Sequence, residues 1–171
     1  MKSLETERLV LRSFTTNDKD DLVAMMTNPM VTRYLGDGSG FTVERAERML
    51  ERLITSWERG FGIFAVVLRE GNTFIGYSGI QTFHDGRVEL LYAFTPDAWG
   101  NGYATEAGQA VLAYARANFA VSELIALSYP QNPGSIGVIR KLGFTSIGQE
   151  AQFGISAEVF TLKLHPEGEQ P

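Results

Sequence analysis

The sequence predicts an α+β fold in which one twisted mixed sheet of about six to seven strands carries about four helices and one βαβ crossover. Three observations lead to this prediction. Apolar strands separated by hairpin turns fill the middle of the chain, a long helix with a stripe of small apolar residues follows, and an apolar strand comes directly after that helix. The chain has 171 residues, 44% hydrophobic and 20% charged, which fits one domain with a buried core.

The first part of the chain alternates between strand and helix patterns. Turn sequences such as His84-Asp85-Gly86 separate the strands, and the helices carry apolar residues at i, i+3, i+4 and i+7. The strands are expected at residues 8–14, 61–70, 73–83 and 87–95. The helices are expected at residues 18–27, stopped by Asn28-Pro29, and in the segment that Thr42 precedes and Gly60 follows. Residues 36–40, GDGSG, form either a connecting loop or a lid over a substrate.

The second part begins with the striped helix, which is expected from about Tyr103 to Phe119. An apolar strand over 123–129 follows it and supplies the second strand of the crossover. A short helix is then expected over Pro133–Leu142, with Asn132 as its N-cap. The closing strands are expected at 144–150 and 157–164.

Composition excludes several classes of function. The net charge is −5 without a basic run, so we expect no nucleic-acid partner. Cysteine is absent, which removes disulfides, thiolate nucleophiles and cysteine-type zinc sites, and no metal is expected. The opening residues are too charged for a signal peptide and no apolar stretch would span a bilayer, so a cytoplasmic protein without a membrane partner is expected. We expect one domain over residues 1–171 with a disordered tail at 166–171, as a monomer or homodimer.

The most informative segment is a glycine loop that leads into the long helix, FTPDAWGNGYATEAG at residues 94–108. Gly100 and Gly102 let backbone N–H groups approach an anion, and the unpaired amides and positive dipole end of the helix point at it. This arrangement suits a pyrophosphate, although for two glycines alone a capped loop is the alternative. A P-loop is excluded because no Lys-Ser or Lys-Thr follows, and the hairpin context disfavours a dinucleotide-binding Rossmann site.

A second segment, NPGSIGVIRKLGF at residues 132–144, contains an unexplained serine. Capping by Asn132, opening by Pro133 and termination by Gly143 account for most of the helix. Ser135 lies in the first turn, where its hydroxyl either caps the helix locally or faces a ligand.

Together these segments resemble the GNAT superfamily of N-acetyltransferases, particularly the branch of ribosomal-protein (serine/alanine) N-terminal acetyltransferases. The resemblance covers almost the whole chain and rests on ETERLVLRSF, VELLYAFTPDAWGNGYATEAG and QNPGSIGVIRKLGF. Asp97 stands where many members carry Gln or Arg, three residues before the first loop glycine. The resemblance implies a GNAT-like mixed sheet, acetyl-CoA as the cosubstrate and transfer of its acetyl group to an amine.

The resemblance also implies which residues hold acetyl-CoA. Phe94 and Thr95 would pair with the pantetheine arm, Asn132 would hydrogen-bond it, and Ser135 would lie near the thioester sulfur. Lys141, or the arginine before it, would lie near the nucleotide phosphates, unless it is a solvated helix charge. The pyrophosphate would be held by Gly100, Asn101, Gly102, Tyr103, Ala104 and Thr105.

Glu89 is the candidate general base. It lies in RVELLYAF, on the strand that leads into the glycine loop and on the same face as Leu91 and Ala93. A carboxylate in such an apolar strand is unfavourable unless it is paired or solvated. Glu89 is therefore either a base with a raised pKa that takes the proton of the amine, or an exposed or ion-paired residue with a partner such as Arg87.

The predicted reaction is direct attack of a primary amine on acetyl-CoA within a ternary complex. Ser135 is the candidate general acid for the leaving thiolate, and Tyr129 is its rival, with sheet packing as the alternative role for Tyr129. A backbone N–H near Phe94 would stabilise the oxyanion. The acceptor, either a protein N-terminus or a small amine, would lie between residues 31–41 and 152–156. The alternative function is an acyl-CoA-binding sensor without catalysis.

Overall fold

The structure, a computed structural model, describes residues 3–59, 61–152 and 154–165. The strands within these residues are β1 (Ser3–Glu5), β2 (Leu9–Ser13), β3 (Ile63–Leu68), β4 (Phe74–Thr82), β5 (Val88–Phe94), β6 (Glu123–Ser128), β7 (Thr145–Gln152) and β8 (Ile155–Lys163). The α-helices are α1 (Lys19–Met26), α2 (Pro29–Thr32), α3 (Val43–Ile54), α4 (Tyr103–Asn118) and α5 (Pro133–Lys141). Gly60 and the tail at 166–171, predicted to be disordered, lie outside the described residues.

The strands form one eight-stranded sheet in the order β1-β2-β3-β4-β5-β6-β8-β7. Strands β5 and β6 run parallel with α4 as the crossover between them, and the other neighbouring strands are antiparallel. The predicted mixed sheet with one βαβ crossover is confirmed. The number of strands is slightly higher than expected because β1 was not predicted.

The sequence analysis did not predict two short elements, β1 and α2. Strand β1 has three residues and pairs with β2, in the register Ser3 opposite Arg12, so it is too short to show a pattern. Helix α1 does end before Asn28, as predicted, but Asn28 then caps the four-residue helix α2 by accepting a hydrogen bond from the Met30 N–H. Proline is favourable at the first helical position, so the same dipeptide stops one helix and opens the next.

The predicted bounds of three elements were wrong. The helix after Thr42 ends at Ile54 and is followed by a 3-10 turn at Ser56–Arg59, rather than continuing up to Gly60 as its stop. The last two strands are longer than expected, because they form a tight hairpin in which Gln152 pairs with Ile155. None of the helices in the described ranges is long and apolar enough to cross a bilayer.

Helices cover both faces of the sheet. Alternate residues of β3 explain this arrangement, because Phe64 and Val66 pack with α4 and α5, whereas Ala65 and Val67 pack with α1 and α3. The strand is therefore apolar on both faces, as its sequence IFAVVL indicates. Glu89, Leu91 and Ala93 of β5 share the face that α1 and α3 cover, as their spacing predicted.

Candidate functional site

A cleft lies between the parallel strands β5 and β6. The strands pair through Glu89 and Ile125, and two cavities lie beside their carboxyl-terminal halves. Tyr92 of β5 and Leu127 and Ser128 of β6 line both cavities, so the two spaces meet between the strands. Ligands commonly bind at such a position, where the carboxyl ends of parallel strands meet.

The backbone of β5 presents hydrogen-bond donors to this cleft. The Thr95 N–H donates to the Ile75 carbonyl oxygen of β4 at 2.9 Å. Successive residues of an antiparallel pair bond to opposite sides, so the N–H groups of Tyr92 and Phe94 point away from β4, towards the gap before β6. The Thr95 carbonyl accepts from the Ala98 N–H at 3.0 Å. Both backbone groups of Thr95 are thus bonded within the protein, and its pairing with a pantetheine arm stays a prediction.

The larger cavity has a volume of about 590 Å³ and follows the glycine loop. Lys141, at the end of α5, is part of its lining, and Arg140 instead lies 3.9 Å from Glu158. Thr95 and Asn101 are not part of the lining. The predicted cofactor residues that do line it are Phe94, Gly100, Gly102, Tyr103, Ala104, Thr105, Asn132, Ser135 and Lys141.

The start of α4 is arranged to bind an anion. Gly102 is its N-cap residue, with φ +81°, in the left-handed region that favours glycine. The Glu106 N–H makes the first bond of the helix, to the Gly102 carbonyl at 3.1 Å. The N–H groups of Tyr103, Ala104 and Thr105 precede that bond, and all three residues line the larger cavity. These amides and the helix dipole fit a pyrophosphate group.

A carboxylate in the first turn of α4 would repel an anion unless its charge were balanced. Glu106 accepts hydrogen bonds from the Thr6 hydroxyl at 2.6 Å and from the Arg8 N–H at 2.9 Å, and it forms an ion pair with the Arg8 guanidinium at 2.7 Å. Arg8 also donates to the Asn101 carbonyl at 3.0 Å and stacks over Tyr103. We call this contact between Thr6, Arg8 and Glu106 the loop latch. It neutralises Glu106 and ties the glycine loop to the residues before β2.

The smaller cavity has a volume of about 260 Å³ and contains Glu89. Glu89 accepts a hydrogen bond from the Gln81 side-chain amide at 2.9 Å. Arg87, the proposed ion-pair partner, instead pairs with Asp85 at 2.6 Å and Glu150 at 2.7 Å. Burial raises the pKa of Glu89 to about 7, and the bond from Gln81 opposes this rise.

Ser135 and Tyr92 form a hydroxyl pair where the two cavities meet. Their side-chain oxygens are 3.0 Å apart, and the Tyr92 hydroxyl also donates to the Ser135 carbonyl at 3.1 Å. The Ser135 N–H donates to the Asn132 side chain at 3.1 Å, so Asn132 is the N-cap and Ser135 is fixed in the first turn. Burial raises the pKa of Tyr92 to about 12, and its phenol therefore remains protonated at neutral pH.

Tyr129 follows β6 and contacts the loop at residues 36–40, which is separate from the glycine loop before α4. Its hydroxyl donates to the Gly36 carbonyl, and the side chain lines the smaller cavity. The predicted acceptor segments meet here, since Tyr34, Phe41 and Gln152 line the same cavity. Within the described part of the chain, no group of three or more acidic or histidine side chains is placed to hold a metal ion.

Comparison with known proteins adds the family. The profile described as "Acetyltransferase (GNAT) domain" matches residues 8–145. The chain belongs to the GNAT acetyltransferase family. The resemblance seen in the sequence is thus confirmed, together with the expectation of an N-acetyltransferase.

Several relatives of this GNAT acetyltransferase share most of its length. The uncharacterized N-acetyltransferase p20 of Bacillus licheniformis is 30% identical over 151 residues, covering 86% of this chain and 85% of that protein. A GNAT-family acetyltransferase structure from Bacillus anthracis has a TM-score of 0.81 at 23% identity, with 95% and 99% of the chains covered. A ribosomal L7/L12 α-N-protein acetyltransferase, solved with coenzyme A, has a TM-score of 0.80 at 15% identity, with 95% and 98% covered.

Three groups of the GNAT site were missed in the sequence. Gln81 lies opposite Glu89 in the β4–β5 register, and counting back from the His84-Asp85-Gly86 turn would have found it. Tyr92 was missed because its partner Ser135 is distant in the sequence. The loop latch was missed for the same reason, although ETERLVLRSF and YATE both belong to the quoted motifs.

Breaking the loop latch should weaken cofactor binding. We expect Glu106→Ala to weaken acetyl-CoA binding by about tenfold, because the glycine loop loses its tie to Arg8. The free energy of unfolding should fall by about 1–3 kcal/mol, as charged hydrogen bonds are lost. Calorimetric titration and urea unfolding measure the two effects. Glu51→Ala, at an exposed position of α3, is the control, and equal affinities in both variants would contradict the role of the latch.

Removing the Tyr92 hydroxyl should slow turnover. We expect Tyr92→Phe to lower kcat by about tenfold with little change in acetyl-CoA affinity, because the phenol holds Ser135 Oγ. Ser135→Ala should have a similar effect, and the double variant should be no slower than the slower single variant, since the hydroxyls act as a pair. Steady-state kinetics on the four proteins measure this coupling. Additive losses would show that the hydroxyls act separately.

Proposed function

We propose that this GNAT acetyltransferase transfers an acetyl group from acetyl-CoA to a primary amine by direct attack within a ternary complex. The observation that carries the proposal is the position of Glu89. A carboxylate with a pKa of about 7 faces one cavity, which meets a second cavity built around a glycine loop and a helix start. An amine and an activated acyl group can therefore meet between β5 and β6.

The glycine loop and the start of α4 are the proposed site of the pyrophosphate. The GNAT family and the coenzyme A bound in the L7/L12 acetyltransferase support this assignment. Acetyl-CoA supplies an acyl group already activated as a thioester. The amides of Tyr103, Ala104 and Thr105 bind the anion, and the Phe94 backbone lies along the arm. Lys141 is placed to balance the remaining phosphate charge.

Glu89 is the proposed general base. An alkyl amine is mostly protonated at neutral pH, and it must lose a proton before its nitrogen can attack. With a pKa of about 7, Glu89 is substantially ionised at neutral pH and still basic enough to accept that proton. The Gln81 amide orients the carboxylate through its hydrogen bond. Glu89 takes one proton from the ammonium group, and the neutral nitrogen then forms the new C–N bond to the acyl carbon.

Phe94 and Ser135 stabilise the two negative charges that develop in the reaction, on the carbonyl oxygen and on the departing sulfur. The Phe94 N–H, which points into the cleft, donates to the carbonyl oxygen as negative charge develops there. As the C–S bond breaks, Ser135 Oγ passes a proton to the departing sulfur and recovers one from the attacking nitrogen, which loses its second proton to become the amide. The Tyr92 hydroxyl holds Ser135 Oγ in place by a hydrogen bond. No acyl-enzyme is required, because the acyl group arrives activated and the chain has no cysteine.

Release of free thiol with formation of an acetylated amine tests the proposal. The purified protein would be mixed with acetyl-CoA and a panel of small amines and short peptides, and the masses of the products would be measured by mass spectrometry. We expect thiol release that depends on the amine, with one acetyl group added per thiol released. Saturable acetyl-CoA binding without transfer to any acceptor would favour an acyl-CoA sensor and contradict catalysis.

A further inference from the structure

The cavity around Glu89, which we call the acceptor cavity, limits the size of the amine. Its volume is about 260 Å³. An apolar cavity of about 150 Å³ is sufficient for benzene. The acceptor cavity therefore has room for one ring and a short chain, whereas several peptide residues would exceed it.

The walls of the acceptor cavity are mainly aromatic and apolar. Tyr77 of β4 and Phe83, directly after β4, are buried in one wall. Met49 of α3 and Phe41, shortly before α3, line another. Tyr34 lines the cavity from the loop after α2. Walls of this kind favour an apolar or aromatic group over a hydrated one.

The charge of the residues lining the acceptor cavity further restricts which amines it can bind. Glu89 is the one Asp, Glu, Lys, Arg or His side chain among the described residues that line the acceptor cavity. An ammonium group next to Glu89 is favourable, because opposite charges attract strongly where water is limited. A carboxylate on the acceptor would be enclosed without a cation, and burial of an unpaired charge is strongly unfavourable.

Three arginines near the acceptor cavity are engaged in other contacts. Arg45 stacks on the Phe41 ring at 3.9 Å and donates to the Gly40 carbonyl at 3.1 Å. Arg33 stacks on Tyr34 at 4.6 Å and lines the larger cavity instead. Arg87 is held by two carboxylates. None of these three arginines lines the acceptor cavity, and Arg87, like His84, acts on Glu89 only from outside that lining.

The loop after α2 contributes to the wall of the acceptor cavity and contacts the end of β6. The Tyr129 hydroxyl donates to the Gly36 carbonyl, which ties residues 36–40 to the end of β6. Gly36 and Leu35 themselves line the cavity. This contact fixes one wall of the acceptor cavity and favours a small acceptor over an extended peptide.

On the basis of the proposed function, we infer that the acceptor is a small primary amine with one uncharged aromatic or branched apolar group. It is neither a free amino acid nor a protein N-terminus. The juxtaposition that carries this inference is one carboxylate at the end of an aromatic cavity that holds no cation.

A matched set of amines tests the inference on the unmodified protein. At saturating acetyl-CoA, thiol release would be measured with 2-phenylethylamine, phenylalanine, phenylalanine amide and a phenylalanine-initiated tetrapeptide. We expect kcat/KM for 2-phenylethylamine to exceed that for phenylalanine by about 100-fold or more. The amide should recover part of the loss, since it lacks the carboxylate, and the tetrapeptide should be poor.

Equal or better use of phenylalanine or the tetrapeptide would overturn the inference and leave the proposed function intact. Transfer to no amine or peptide, despite acetyl-CoA binding, would contradict both. A cation placed in the cavity gives an independent test. Met49→Lys should lower the ratio of kcat/KM for 2-phenylethylamine to kcat/KM for phenylalanine by at least about tenfold. Met49→Gln, of similar length but uncharged, should leave that ratio unchanged. An unchanged preference in folded Met49→Lys would also count against the inference.

Discussion

Replacing Glu89 with glutamine lowers the acetylation rate at neutral pH by about 10²- to 10⁴-fold, the usual contribution of a positioned base. Glutamine keeps the size of the side chain and a partner for Gln81 but cannot accept a proton. Affinity for acetyl-CoA should remain nearly unchanged, because Glu89 lines the smaller cavity and not the larger one. Steady-state kinetics and calorimetric titration measure the two quantities separately.

The pH dependence makes this first prediction specific. Burial raises the pKa of Glu89 to about 7, and a base acts only when deprotonated. In the unmodified enzyme, kcat/KM should therefore rise with pH through a step centred near 7. Glu89→Gln should lack this step, whereas Glu123→Gln, at an exposed position on β6, should retain it. A variant at position 89 with an unaltered rate across pH would remove Glu89 from the mechanism.

Stability gives a second measurement at Glu89 that does not depend on activity. The pKa is raised on folding from 4.5 to about 7, so the folded protein binds more protons than the unfolded chain between these values. The contribution of Glu89 to stability is present below pH 4.5 and is lost as pH rises through about 7. Glu89→Gln should thus increase the free energy of unfolding at pH 8 by up to about 3 kcal/mol, with little gain at pH 4.

Replacing Gly102 with valine should weaken acetyl-CoA binding by at least about tenfold. Gly102 caps α4 with φ +81°, and a β-branched residue in this region is strained. A side chain here would also crowd the space where the pyrophosphate meets the helix amides, 3.6 Å from the Arg8 guanidinium. The affinity would be measured by calorimetric titration of the folded variant.

Gly71 provides the matched control for backbone strain. It has φ +77°, close to that of Gly102, but lies in the turn between β3 and β4. Gly71→Val should lower the free energy of unfolding by about 1–3 kcal/mol, as strain of this kind does, and leave acetyl-CoA affinity unchanged. Equal affinity in Gly102→Val and the unmodified protein would mean that the glycine loop does not bind the cofactor.

Local signals predicted most of the fold. The hairpin turns placed β3, β4 and β5, and the cap and stop residues placed α5 almost to the residue, because these signals act over a few positions. Strand β1 and helix α2 were missed because three or four residues hold too little of any period. Their stability comes from pairing with β2 and from packing beside α1, which no local pattern records.

In the candidate site, too, local signals predicted some residues, whereas others were found only in the structure. Gly102 stood out because glycine lets the backbone N–H groups approach an anion, and Glu89 because a carboxylate is unfavourable in an apolar strand. Tyr92 looks like an ordinary strand tyrosine until the fold brings it to Ser135, and only the structure joins Arg8 to Glu106. The role of Thr95 stays a prediction, and the structure adds that its N–H is bonded to the Ile75 carbonyl of β4.

Calorimetric titration of the unmodified protein with acetyl-CoA tests most directly whether the cleft between β5 and β6 is the cofactor site. The roles proposed for the amides at the start of α4, for the charge balance of Glu106 and for the Phe94 N–H all depend on acetyl-CoA binding in that cleft. We expect saturable binding of one acetyl-CoA per chain, weakened in Gly102→Val and retained in Glu89→Gln. No binding at millimolar acetyl-CoA would contradict the cofactor site, and with it the proposed transfer reaction.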